Sequence, residues 1–150
     1  MDEADAQIYR KYAEELIRFA TALAGPDLAE DILSDAVLRV FSSSAWPAVR
    51  NKRAYLYRAV FNEAAQAKRS IDRRLRREDA AGAASPESTL DRRELLDALR
   101  RLTVRQRAVV YLTYWVDLEA SEIARGLEIS VRTVERELAA ARRRLEVLLR

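Results

Sequence analysis

The chain has 150 residues, 27 of them basic and 24 acidic, for a net charge of +3, and it contains neither Cys nor His. Disulfides, zinc fingers, catalytic thiols and histidine-based acid–base chemistry are therefore excluded. With three Gly in all and no phosphate-cradling loop, the sequence predicts no enzyme, no metal and no cofactor. No apolar run approaches the roughly 20 residues that span a bilayer. The acidic residues 1–7 do not form a signal peptide, so we expect a cytoplasmic protein that does not insert into membranes.

Charge is concentrated in blocks along the chain. Residues 1–66 carry a net charge of −2, residues 67–77 of +5, residues 78–99 of −4 and residues 100–150 of +4. Two basic zones separated by an acidic one favour two contacts with polyanions rather than one. All but three of the basic residues are Arg. The forked guanidinium suits phosphate, although GC-rich coding produces the same excess of Arg.

The first predicted helix lies within residues 5–26. Its apolar side chains recur at spacings of three and four, which is typical of one helix face, and Gly25 with Pro26 ends it. The face consists of Ile8, Tyr12, Leu16, Phe19 and Leu23.

A second helix is predicted over residues 27–43 and a third over residues 52–78. Asp27 is the expected N-cap of the second, and Glu30 completes a capping box. Serines and Pro47 break the pattern in the loop 42–51 between the two helices. The second helix buries Leu28, Ile32, Leu33, Val37, Val40 and Phe41, and the third has apolar positions at Leu56, Ala59, Val60, Ala64 and Ala67.

Residues 78–90 are small and polar, and Gly82 and Pro86 interrupt them, which indicates a flexible linker. Several shorter helices are predicted after it, and no stretch alternates as a strand does. The sequence therefore predicts an all-α protein of two small helical domains, residues 1–77 and 91–150, joined by the linker 78–90.

The second domain contains a predicted helix-turn-helix. Residues 119–127 form a short helix, in which Ala124 allows close approach of a second helix, and Ser130 is a good N-cap for that second helix. In such motifs the second helix enters the major groove of DNA. Glu128 lies where a turn of this kind usually has Gly, and a positive φ there costs a non-Gly residue about 1 kcal/mol. The second helix has an apolar stripe of Val131, Val134, Leu138, Ala141, Leu145 and Leu149, and an opposite face of Arg132, Thr133, Arg136, Ala140 and Arg143.

Two acidic residues complicate this helix. Glu135 and Glu137 lie on or near its exposed part, where phosphate repels them. One of them could accept from a cytosine amino group. The preferred interpretation is that they pair with Arg132 and Arg136 on the helix surface.

Three segments in order, residues 29–41, 54–70 and 102–145, resemble a bacterial RNA polymerase sigma factor of the extracytoplasmic function (ECF) group of the sigma-70 family. The resemblance covers nearly the whole chain. It implies a first domain that binds the β′ clamp of the polymerase core and reads the promoter −10 element. It also implies a second domain that reads the −35 element, with the β flap, promoter DNA and an anti-sigma factor as further partners.

The resemblance also implies the residues that carry these roles. Aromatic faces and a cationic groove hold single-stranded bases, and the loop around Trp46 with the following helix supplies such groups. The basic strip 68–77 continues that helix and is expected to contact phosphate. The polymerase-binding residues are Asp31, Ser34, Asp35, Leu38 and Arg39. The −10 residues are Trp46, Lys52, Arg53, Tyr55, Tyr57, Arg58, Asn62, Lys68 and Arg69. The −35 residues are Ser130, Arg132, Thr133, Arg136, Glu137, Ala140 and Arg143.

Two other functions stay open at this point. A helix-turn-helix regulator of the LuxR type explains residues 102–145 but not the first 77 residues. A sigma-like decoy that does not direct initiation explains both domains, and the acidic residues of the helix-turn-helix keep it open. For each aromatic side chain of the first domain, a place in the core is as plausible as a contact with DNA.

Overall fold

The computed structural model describes residues 2–67, 73 and 97–148, and within these ranges all regular structure is helical, which confirms the all-α class. The predicted linker 78–90 and nearly all of the basic strip 68–77 lie outside the described residues, so the division into two domains stays a prediction. The helices are α1 (Glu3–Ala24), α2 (Pro26–Ser42), a 3-10 turn (Trp46–Ala48), α3 (Lys52–Gln66), α4 (Val104–Tyr114), α5 (Ala120–Leu127) and α6 (Val131–Leu148). Residues 97–100 are also helical.

Helix α1 follows its predicted pattern. Leu16, Phe19 and Leu23 are fully buried, and the carboxylate of Asp2 caps the N-terminus by accepting from the Asp5 backbone N–H at 2.8 Å. The helix ends at Ala24, and Gly25 turns the chain with a φ of 85°, which favours glycine. The predicted stop at Gly25 and Pro26 is therefore confirmed.

The predicted capping box at the start of α2 is wrong. The helix begins one residue earlier, at Pro26, Gly25 is its N-cap, and no side chain caps it. Proline suits the first helical position because its φ is already helical and its missing N–H has no partner to lose there. Asp27 then lies in the first turn, where a carboxylate interacts favourably with the helix dipole.

The helix-turn-helix forms as predicted, with a positive φ at its turn. Helix α5 ends at Leu127, and Glu128 adopts the left-handed conformation with φ 56° and ψ 46°. Ser130 caps α6, since its Oγ accepts from the Thr133 N–H at 3.0 Å. One position of the apolar stripe is wrong: Val131 is 41% exposed because it lies in the first turn of α6, beyond the packed part of the helix. Leu149 lies outside the described residues.

The N-terminal and C-terminal halves share one hydrophobic core. Helices α1 and α3 pack against α4 and α5, and buried side chains of both halves form a single cluster. The ring centroids of Phe19 and Tyr111 lie 5.6 Å apart across this contact, and Arg58 of α3 forms an ion pair with Glu128. Among the described residues, no helix combines the length and the apolar character that crossing a membrane requires.

Candidate nucleic-acid and polymerase interfaces

The outer face of α2 carries the predicted polymerase-binding residues. Helix α2 buries Ile32, Leu33, Val37 and Val40 against the core. The residues in between are all exposed and lie on the solvent side, and Leu38 is 67% exposed although it is apolar. An exposed leucine among polar residues on one helix face is typical of a protein-binding surface. The exposed residues are Asp31, Ser34, Asp35, Leu38 and Arg39.

Trp46 is not available to stack on a base, which corrects the sequence prediction. Its side chain is 3% exposed, and its ring lies 5.3 Å from Phe41 and 5.8 Å from Tyr55, measured between centroids. The indole Nε1 donates to Asp5 at 2.8 Å. The Nζ of Lys52 lies 4.1 Å from the centroid of the ring. The indole is therefore a packed core residue that holds the loop 42–51 in place.

Tyr57 and Arg53 are also structural in this arrangement. Tyr57 is 5% exposed, and its ring packs 4.9 Å from Phe19. Burial, reinforced by the Glu15 carboxylate, raises the pKa of Tyr57 to about 12. Arg53 donates to both oxygens of Glu15, at 2.8 and 3.0 Å, and this hydrogen-bonded pair raises the pKa of Arg53. The predicted DNA contacts of Tyr57 and Arg53 are not compatible with these contacts.

Three of the predicted −10 residues do come together. Tyr55, Arg58 and Asn62 line one groove of about 370 Å³ between α3 and the end of α2. The Arg58 guanidinium carbon lies 4.7 Å from the centroid of the Tyr55 ring. Asn62 is exposed. A half-buried aromatic ring, a cation and an amide are the groups that hold an unstacked base.

The sequence analysis did not assign Ser43 and Gln66 to a site, yet both line the same groove. Gln66 lies one helical turn after Asn62 on α3, so helical spacing alone could have found it. Ser43 follows the end of α2, and no periodicity relates it to α3. Lys68 and Arg69 lie outside the described residues.

The recognition helix presents its arginines to solvent. Arg132, Arg136 and Arg143 are exposed, whereas Glu137 and Ala140 are half-buried. In the part of the chain that the structure describes, neither Glu135 nor Glu137 forms an ion pair with these arginines, so the expected pairing is wrong. The guanidinium groups of Arg132 and Arg136 therefore remain available at the end of α6 that enters the groove in this kind of motif.

The run Arg142–Arg144 divides into two kinds of side chain. The Nε of Arg142 donates to the Tyr114 hydroxyl at 2.8 Å, and Arg144 donates to the Gln106 Oε1 at 3.2 Å. Arg143 between them is exposed and makes no such contact within the described residues. Of the three, Arg143 is the one best placed to reach a phosphate.

A second groove, of about 350 Å³, lies between the two halves. Arg53, Tyr57 and Arg58 of α3 line one wall, and Leu118, Glu122 and Arg125 line the other. Arg58 therefore borders both grooves, and its ion pair with Glu128 connects α3 to the turn of the helix-turn-helix.

These features define a helical DNA-binding protein with a second, protein-binding helix face, and comparisons with known proteins specify the family. Residues 92–145 match the family model "Sigma-70, region 4". An RNA polymerase sigma-E factor of Streptomyces antibioticus is 32% identical, over 93% of this chain and 81% of its own. The ECF RNA polymerase sigma factor SigL of Mycobacterium tuberculosis is 30% identical, over 95% and 86%.

The sigma factor RpoE of Bartonella quintana, solved in complex with the anti-sigma factor NepR, shares the fold. It superposes with a TM-score of 0.69 over 99% of this chain and 98% of its own, at 22% identity. The chain belongs to the ECF group of the sigma-70 family of RNA polymerase sigma factors, and it directs transcription initiation. A separate LuxR-type regulator is not supported, because the relatives align along both halves.

Proposed function

We propose that this sigma factor uses three separate surfaces: the outer face of α2 for the β′ clamp of the polymerase core, the groove of Tyr55, Arg58 and Asn62 for a −10 base, and the start of α6 for the −35 element. The observation that carries the proposal is their placement on three different elements. The β flap and an anti-sigma factor remain further proposed partners. Binding to the polymerase places the protein in the cytoplasm and makes it a dissociable, non-catalytic subunit.

The polymerase surface is supported by its combination of exposure and chemistry. Leu38 offers about the burial of one leucine, about 2 kcal/mol, if a partner covers it. Asp31 and Asp35 flank it one turn apart, so a basic partner helix would meet two carboxylates. Charged groups at the rim of an interface mainly determine which partner is accepted and how fast it associates.

The −10 surface is supported by the geometry of its groove. Stacking of a base on an aromatic ring contributes about 1–3 kcal/mol. Arg58 already lies over the Tyr55 ring, so a base entering the groove meets a cation and a ring that are oriented in advance. The amide of Asn62 then offers both a donor and an acceptor to a base edge.

The test is run-off transcription with purified polymerase core and the whole chain. Asp31→Arg with Asp35→Arg is expected to abolish both copurification with core and transcript formation, while the helical content stays the same. The matched control is Glu3→Arg with Glu14→Arg, which makes the same change in charge at side chains of α1 that are 78% and 85% exposed. Equal activity of the two double variants would reject the α2 face as the polymerase surface.

A further inference from the structure

Arg58 has two alternative environments in one structure. On one side its guanidinium covers the Tyr55 ring and lines the candidate base groove. On the other side it pairs with Glu128, which lies 70 residues further along the chain, at the turn of the helix-turn-helix. A guanidinium neutralised by a carboxylate attracts phosphate less than a free one does, so the two environments are linked.

Glu128 is an unusual residue at its position. Its φ of 56° lies in the left-handed region, where glycine has no steric cost and a side chain does. The Gly of this helix, Gly126, is two residues earlier and has no positive φ. The local turn therefore does not explain Glu128, whereas the pair with Arg58 across the two halves gives its carboxylate a specific contact.

We propose that Glu128 is an internal competitor for Arg58, which holds the two halves closed and blocks the −10 groove until they separate. The DNA part of this proposal rests on the proposed role of Arg58. The Glu128 side chain is 67% exposed and that of Arg58 25% exposed, so solvent and salt weaken the pair. Such a contact suits a latch that must open, because it is weak enough for a partner to replace.

Closure covers one of the three proposed surfaces and leaves two open. Tyr57 and Arg58 face the groove between the halves. In contrast, Asp31, Asp35 and Leu38 of α2 are exposed, and so are Arg132 and Arg136 of α6. The closed protein can therefore still meet polymerase and duplex DNA, and the latch acts at the later step in which a single-stranded base is held.

The absence of Cys makes closure directly measurable. Cysteines introduced at the exposed Glu30 of α2 and Ala139 of α6 are unique labelling sites for two spin labels. Distances between the labels are measured by pulsed electron resonance in the full chain with Glu128 unchanged, with Glu128→Gln and with Glu128→Gly. The matched control is Glu135→Gln, which removes the charge of another exposed carboxylate of the helix-turn-helix.

Glu128→Gln and Glu128→Gly are expected to enlarge the open population about 1.5- to 5-fold, the range expected for an exposed ion pair. Glu135→Gln is expected to leave it unchanged. Glu128→Gly also removes the backbone strain, so an increase in that variant cannot come from a damaged turn. Distances that are the same in all four proteins would overturn the latch.

A second measurement separates the latch from the proposed function. Affinity for a single-stranded −10 oligonucleotide is expected to rise in Glu128→Gln by the same factor as the open population, and not in Glu135→Gln. An open population that rises without any change in affinity would support the latch and overturn the −10 role of Arg58. A rise in affinity without opening would overturn the latch.

Discussion

The indole Nε1 of Trp46 donates a hydrogen bond of 2.8 Å to the carboxylate of Asp5, which joins the loop after α2 to the first turn of α1. Because the indole is 3% exposed, this donor has little access to water and depends on Asp5. The pair explains why a tryptophan in a serine-rich loop belongs to the core. It also changes what mutation of Trp46 tests.

Trp46→Ala is expected to lower the free energy of unfolding by about 3–5 kcal/mol, as truncation of a buried aromatic does. Asp5→Ala, which leaves the indole N–H without its acceptor, is expected to cost about 1–3 kcal/mol. Chemical denaturation followed by circular dichroism measures both, and Glu3→Ala in the same helical turn is the control. A stable Trp46→Ala protein that fails only in opening promoter DNA would restore the direct role of the ring.

Tyr55 should matter for single-stranded DNA through its ring rather than its hydroxyl. Tyr55→Ala is expected to weaken binding of a −10 oligonucleotide by about 1–3 kcal/mol, because it removes the stacking surface. Tyr55→Phe keeps the ring and is the matched control, so its affinity should stay close to that of the unchanged protein. Fluorescence anisotropy measures both, and an equal loss in the two variants would assign the effect to the hydroxyl.

The arginines of α6 should separate into base readers and phosphate contacts. Arg132→Ala or Arg136→Ala is expected to reduce discrimination among −35 sequences by about 1–3 kcal/mol. Arg143→Ala is expected to weaken binding to all sequences alike and to lower the salt dependence by about one unit. Titrations of duplex DNA at several salt concentrations measure both effects.

Arg142 is the internal control for that experiment. Its guanidinium already donates to Tyr114, so Arg142→Ala should reduce the salt dependence less than Arg143→Ala does. If no arginine variant changes base preference, α6 is a phosphate clamp, and sequence selection comes from the first half of the chain.

Stability should fall at high pH because of Tyr57. Its pKa is raised to about 12 in the folded protein, against about 10 in an unfolded chain. The neutral hydroxyl is favoured in the folded state, so its full contribution is present below pH 10 and is lost as the pH rises to about 12, by about 2–3 kcal/mol. Tyr57→Phe cannot ionise and should lose less stability between pH 10 and 12. Denaturant titrations at several pH values measure the difference.

Much of the fold follows from local sequence. The spacing of Leu16, Phe19 and Leu23 predicts the buried face of α1, and Gly25 predicts its end, since both depend on contacts within a few residues. The cap at Ser130 and the left-handed residue at Glu128 follow in the same way from the helix-turn-helix pattern. The exposed face of α2 is the complement of its apolar stripe, so periodicity alone predicts which residues are available to the polymerase.

What periodicity could not decide is which partner each polar or aromatic side chain meets. Trp46, Tyr57 and Arg53 have the chemistry of a base-binding site, yet Asp5, Phe19 and Glu15 occupy them. Those partners are 38 or more residues away in each case, and a helical pattern carries no information about contacts at that distance. The pair of Arg58 and Glu128 belongs to the same class: the sequence determines that each is charged and where each lies on its element, and only the packing of α3 against α5 decides that they meet.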